Sequence, residues 1–352
     1  MQFEHIDIGN VSGYARYVLE SVSRARRNFP LAMTVRLPAL TVDVHLQEGE
    51  LARAIGRNLL QTSGPAPNAA SRSIEIFIAH PGIDRVPRPA AWGDGPYWPH
   101  EVATLLDREG LRASYFHDVD QWQVFDAEAA LGVELLRAHD QYPPWEPGAP
   151  LRPFLHWHYA SQGMRLAHCG TLGLNGSGVL LAGAGGAGKS GTVVAGLLNG
   201  MQSVGDDYVL LEAGKEIAAY PVFATLKQDQ KGFDRLGLKD RLPSAGALNW
   251  QGKYEFRIGD ICDRGPPAKL AIKALLVPRI GDGAGTQIVP LSKRSAMLAF
   301  APSSLHQMPG ERHSGFVFFS KVANNLPCYT IELGKDPVEI ADTVADFLEK
   351  AV

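Results

Sequence analysis

Gly183-Ala184-Gly185-Gly186-Ala187-Gly188-Lys189-Ser190 fits the pattern G-x-x-x-x-G-K-[ST] without a mismatch. Its flanks fit too. Gly178-Val179-Leu180-Leu181-Ala182 reads as a short buried strand entering the stretch, and Thr192 to Leu198 as a helix leaving it. A strand, a glycine-rich turn and a helix N-terminus together make an anion site. Backbone N–H groups converge there, and the helix dipole adds positive potential. The motif arises by chance in a chain this long with a probability on the order of 1–3%. The bland alternative, a solvated Gly/Ala turn, does not account for the flanks. Gly183, Gly185, Gly186, Ala187, Gly188, Lys189, Ser190 and Gly191 are therefore expected to hold ATP or a similar polyphosphate. Lys189 would reach the β- and γ-phosphates, and the Ser190 hydroxyl would ligate Mg2+.

The 352 residues suit two domains. Hydrophobic residues make up 45% and charged residues 20%, enough to bury a core. The net charge of −3 creates no field that would attract nucleic acid. Cys169, Cys262 and Cys328 are widely spaced and odd in number, which suits a reducing cytoplasm and neither a disulfide framework nor a zinc site. The start, Met1 to Asp7, lacks the basic and apolar regions of a signal peptide, and no apolar run reaches transmembrane length.

Upstream of the motif, Ser12 to Asn28 reads as a helix with Ser12 as its cap, Leu31 to Leu46 as a strand or hairpin, and Thr62 to Ser73 as a loop. Ile74–Ile78 and Gln121–Phe125 alternate as strands, and Ala127 to His139 is expected to be helical. Trp92 and Trp98, in a Pro/Gly-rich stretch, read as core anchors. Tyr142 to Pro150 breaks regular structure and marks the boundary between an α+β N-terminal domain, 1–148, and an α/β domain with a mixed sheet, 149–352. Asp336 to Lys350 closes the chain as an amphipathic helix capped by Asp336.

Phosphoryl transfer needs more than a loop: a further metal contact, a base for the acceptor, and positive charge over the transferred group. Asp206-Asp207 follows Ser190 by 16 and 17 residues, room for one helix and a short strand at Ser203-Val204. A strand beside the loop's own would deliver both carboxylates to the phosphate edge, one toward Mg2+ and one toward a substrate hydroxyl. Read alone, Gly205-Asp206-Asp207 is also common turn chemistry.

Leu166 to Gly170, Gly176-Ser177-Gly178-Val179-Leu180-Leu181, the loop and Asp206-Asp207 together resemble the catalytic half of the HPr kinase/phosphorylase family. His168 stands 15 residues before Gly183 and Asp206 stands 23 after it, the family's offsets. The resemblance implies a P-loop kinase domain in which Asp206 is the general base. His168 would sit beside it, orienting or charge-balancing the transferred phosphate, and Asp207 would support the metal. It also implies a homo-oligomer, since HPr kinases form rings. Departures are visible. Gly191 replaces the Glu that follows the loop Ser in the bacterial kinase. The later Glu/Arg-Gly motif has only Tyr254-Glu255-Phe256-Arg257-Ile258-Gly259 as counterpart, with Glu255 a candidate metal ligand and Arg257 a candidate phosphate contact. Beyond Leu151 the chain also resembles divergent relatives that phosphorylate ribosomal peptide precursors. An Arg at the end of an apolar strand, Arg279, is a further candidate for the phosphates.

The expectation is thus an ATP- and Mg2+-dependent kinase acting on a hydroxyl of a peptide, protein, small molecule or lipid. The alternative is a nucleotide-binding regulator with little or no transfer. A carboxykinase lacks placeable Lys, His and Arg ligands here. A GTPase lacks N-K-x-D, and Asp282 to Gly285 is only a weak D-x-x-G match. An ATP-binding cassette lacks L-S-G-G-Q.

Overall fold

The computed structural model describes residues 11–61, 72–83, 106–107, 109–116, 119–243, 246–281, 285–308 and 312–351. Of the loop expected over Thr62 to Ser73, residues 62–71 lie outside them, as do Trp92, Trp98 and Asp282 to Ala284; Arg72 and Ser73 are already strand. The chain divides into two compact units, Met1–Gln162 and Gly163–Val352.

The first unit is a six-stranded sheet in the order β1-β2-β3-β6-β5-β4. Its strands are β1 (Leu31–Leu37), β2 (Leu40–His45), β3 (Arg72–Ala79), β4 (Leu111–Phe116), β5 (Gln121–Asp126) and β6 (Leu131–Leu135). Helix α1 (Val11–Arg24) lies on one face, where Tyr14 meets Trp122 edge-on with ring centres 5.8 Å apart. Helix α1 begins at Val11, so Ser12 sits inside the first turn rather than capping it. After α2 (Glu50–Asn58), the unit closes with α3 (Arg152–Ser161). Phe154 and Trp157 of α3 pack on Phe125, and the Tyr159 hydroxyl donates to the Pro38 carbonyl. Those contacts place α3 in the first unit, so the division falls after Gln162 and not at the expected 148/149.

The helix expected over Ala127 to His139 is a turn followed by β6. The Asp126 carboxylate accepts from the Glu128 and Ala129 N–H groups and folds the turn. β6 then pairs β5 on one side and β3 on the other. Leu131, Val133 and Leu135 keep a two-residue period, Ala127, Ala130, Leu131, Leu135 and Ala138 fit a helical one, and the central sheet position decides between them.

The second unit carries a mixed eight-stranded sheet, so the chain is of mixed α/β class. Its strands are β7 (Met164–Ala167), β8 (Gly170–Leu174), β9 (Ser177–Leu181), β10 (Val209–Ala213), β11 (Ile217–Tyr220), β14 (Leu270–Ile280), β15 (Gln287–Pro290) and β16 (Cys328–Leu333). A separate ribbon pairs β12 (Thr225–Asp229) with β13 (Lys253–Arg257). The helices are α4 (Lys189–Leu198), α5 (Gln230–Arg235), α6 (Lys293–Gln307), α7 (Arg312–Asn325) and α8 (Pro337–Ala351), with two single-turn helices at Leu238–Arg241 and Ile258–Ile261. Asp336 precedes α8, and its carboxylate accepts from the Val338 N–H. β9, β14 and β16 run parallel and are buried on both faces, which matches their unbroken apolar text. Their C-terminal ends therefore open at one sheet edge.

Candidate functional site

Leu181 ends β9 at that edge, the loop crosses the ends of β14 and β16, and α4 begins at Lys189. Gly188 shows why the crossing needs glycine. Its φ is +104°, and a Cβ there would come 2.3 Å from Leu333 Cδ1. The Lys189 side chain is buried and donates to the Gly183 and Ala184 carbonyls at 2.7 and 3.0 Å. Burial lowers its proton affinity, opposed by the charges of Asp206 and Asp207.

The acid pair reaches the same edge by register. Gly170 of β8 stands opposite Leu181 of β9. The segment after α4 runs beside β8: Gln202 bridges Gly173, and the Thr171 N–H donates to the Gly205 carbonyl. Asp206 therefore arrives against Gly170, at the mouth of the loop. A Cβ at Gly170 would lie 2.9 Å from Asp206 Oδ1, so glycine leaves the room the carboxylate takes. The strand expected at Ser203-Val204 is absent. β9 is flanked by β8 and β14, and the acids come from the connection before β10.

Asp206 and Asp207 have opposite environments. Asp206 is 2% exposed, and neither of its carboxylate oxygens has a hydrogen-bond partner. Burial raises its proton affinity and the Asp207 charge adds to this. The Ser190 hydroxyl and the Asp207 N–H lie near enough to oppose the shift without forming well-made bonds. Asp207, with φ +71°, points elsewhere, and its side chain is 30% exposed. Its Oδ1 lies 2.9 Å from His168 Nε2 and its Oδ2 lies 3.2 Å from Lys227 Nζ. These partners hold it well below the usual carboxylate range despite burial. His168 thus pairs with Asp207, the immediate neighbour of the Asp206 beside which the resemblance put it.

Glu255 is directly opposite Lys227 across the β12–β13 ribbon and accepts from the Asn249 amide at 3.4 Å. Arg257 is tied to Asp260 at 2.7 Å, and Arg279 is exposed at the end of β14. Among the described residues no three His, Cys, Asp or Glu side chains group as a metal site. For a small hard cation the fitting donors are the Ser190 hydroxyl and the orphaned Asp206 oxygens. Asp207 has both oxygens engaged. Gly191 is buried beside Arg235, whose Nη2 would lie 2.9 Å from a Cβ at that position.

Four residues of this neighbourhood have no sequence signal. Lys227, Tyr208, Ser304 and Gln307 carry no motif, and the last two are 136 and 139 residues from His168. Only the packing of α6 brings them in.

No family model matches the chain, and no curated protein matches it. Among solved structures it is similar to the HPr(Ser) kinase/phosphatase from Coxiella burnetii, over 53% of this chain and 97% of that one. The identity is 12% and the TM-score 0.30, values that carry no functional argument. Among the described residues no helix is long and apolar enough to cross a membrane.

Proposed function

We propose that the second unit is an ATP- and Mg2+-dependent kinase that transfers the γ-phosphoryl group to a hydroxyl acceptor, on a peptide, protein, small molecule or lipid. The observation that carries this reading is the pair of unpartnered, buried Asp206 oxygens beside Ser190 at the mouth of the loop. A buried carboxylate with raised proton affinity is suited to take a hydroxyl proton. The acceptor oxygen forms the new bond to the γ-phosphorus, the bond to the β-phosphate oxygen breaks, ADP leaves, and the proton passes to Asp206. The amides opening α4 hold the phosphates, and Lys189 leaves the Gly183 and Ala184 carbonyls to pair with them. Mg2+, which Ser190 would hold, would neutralise charge on the β- and γ-phosphates and leave Asp206 free for the proton. Asp207, fixed by His168 and Lys227, supplies a standing negative charge that favours protonation of Asp206.

The test is mass spectrometry of extract incubated with γ-labelled ATP, Mg2+ and the protein. A product heavier by one phosphoryl group is expected with the wild type and none with Asp206→Asn, while both bind ATP. Failure to bind ATP, or full transfer by the variant, overturns the reading. The second reading, a nucleotide-binding regulator, is favoured by the engagement of Lys189 with its own loop and by Gly191. A steady phosphoryl flux into any acceptor excludes it.

A further inference from the structure

We propose that Gln307 and Tyr208 are positioning residues that hold His168 in its Nε2–H tautomer and aim it at Asp207. The chain of hydrogen bonds fixes each proton. A carboxylate only accepts, so the 2.9 Å contact between His168 Nε2 and Asp207 Oδ1 puts the proton on Nε2. Nδ1 faces the Gln307 amide nitrogen, which can only donate, at 3.2 Å, so Nδ1 carries the lone pair and the ring is neutral. The amide presents that end because the Tyr208 hydroxyl donates to Gln307 Oε1. Turned round, the amide would set its oxygen against the Nδ1 lone pair. The Tyr208 ring also lies 5.8 Å from the imidazole, tilted by 37°. The His168 backbone is gripped by the same helix turn, since its N–H donates to Ser304 Oγ at 2.9 Å. The end of α6 thus fixes both the backbone and the ring of His168.

The consequence runs outward from Gln307. A fixed ring keeps one donor on Asp207, Lys227 supplies the other, and Asp207 is pinned beside the orphaned carboxylate of Asp206. Gln307 therefore acts on the reacting groups through two intermediaries and touches none of them. The effect expected on turnover rests on the kinase reading above; the tautomer itself does not.

The experiment is 15N NMR of the full chain with labelled histidine, His168 being assigned by its loss in His168→Gln. The wild type is expected to show a protonated Nε2 and an unprotonated, hydrogen-bonded Nδ1. Gln307→Leu, of similar size, should shift both ring signals toward a mixture of tautomers. It should also lower kcat for γ-phosphate release from ATP roughly ten- to hundredfold, the range of such supporting partners, with KM for ATP unchanged. Tyr208→Phe, which removes one hydroxyl, should shift the signals the same way by less, and it serves if the leucine variant fails to fold. A wild-type ring protonated on Nδ1, or ring signals unmoved by either variant, overturns the proposal. If the wild type releases no phosphate, the kinase reading falls while the ring signals still decide this one.

Discussion

His168 Nε2 lies 2.9 Å from Asp207 Oδ1, while neither carboxylate oxygen of neighbouring Asp206 has a hydrogen-bond partner. The left-handed backbone at Asp207, φ +71°, turns the chain so that consecutive carboxylates diverge. Aspartate tolerates that conformation better than most residues. One acid thus becomes a paired, fixed anion and the other a buried group with free valence. Identical side chains at adjacent positions acquire different proton affinities from this divergence alone.

Asp206→Asn should stop transfer and stabilise the unliganded protein. A raised folded-state pKa means that the charged carboxylate is disfavoured by folding. Its stabilising contribution is present below the unfolded value of 3.8 and is lost as pH rises through the folded one. At pH 8 the wild type carries this penalty and the amide does not. Calorimetry should show a higher Tm for the variant, about 2–4 °C for each kcal/mol regained. A lower Tm would contradict this environment.

Lys227→Met should act in the opposite direction. Asp207 is held below its ordinary value of 3.8, so its stabilisation is present above that pH and lost as pH falls through the depressed value. Removing the Lys227 partner of a largely buried carboxylate should cost about 1–2 kcal/mol at pH 7 after solvent screening. The gap between wild type and variant in urea unfolding should narrow once the pH drops below 3.8.

Glu146 in the first unit offers a separate titration. Burial pushes its carboxyl up to about 7, opposed by the Leu151 N–H and the Arg152 charge. Buried Glu134 is raised too, by burial and by Glu146. The stabilisation is complete below 4.5 and disappears toward pH 7. Glu146→Gln keeps an acceptor for the Leu151 N–H and removes the charge. It should stabilise the protein at pH 8 and not at pH 4.5, read as the Tm difference at the two values.

Gly188→Ala should destabilise through two independent faults. The φ of +104° and the 2.3 Å approach to Leu333 Cδ1 both exclude a side chain. We expect a cost of about 2–4 kcal/mol, with ATP affinity lost. In a Leu333→Ala background, itself destabilised by the loss of a buried side chain, Gly188→Ala should cost less than in the wild type, because the clash is gone and only the backbone strain remains.

Much of this was legible along the chain, because it is local. The loop, the β9 strand before it, the α4 helix after it and the Asp336-capped final helix each depend on residues within one or two turns. The turn-and-strand at 127–135 was not legible, because apolar residues there satisfy two periods and only the neighbours β3 and β5 choose between them. The partner of His168 was not legible either. Spacing brings His168, Asp206 and Asp207 to one edge, but which acid meets the ring depends on the turn of the backbone at Asp207 and on where the sheet register sets the imidazole.

Local chemistry along the chain is enough to specify a glycine-rich loop between an apolar strand and a helix, and an acid pair one helix further on. Short-range sterics and hydrogen bonding suffice for those elements. Tertiary structure alone decided that Gly170 lies under Asp206, that Lys227 and His168 share Asp207, and that Gln307 faces the imidazole. Those contacts join residues far apart in the chain. They exist only because the sheet register and the docking of α6 bring distant backbone positions to within a hydrogen bond's length.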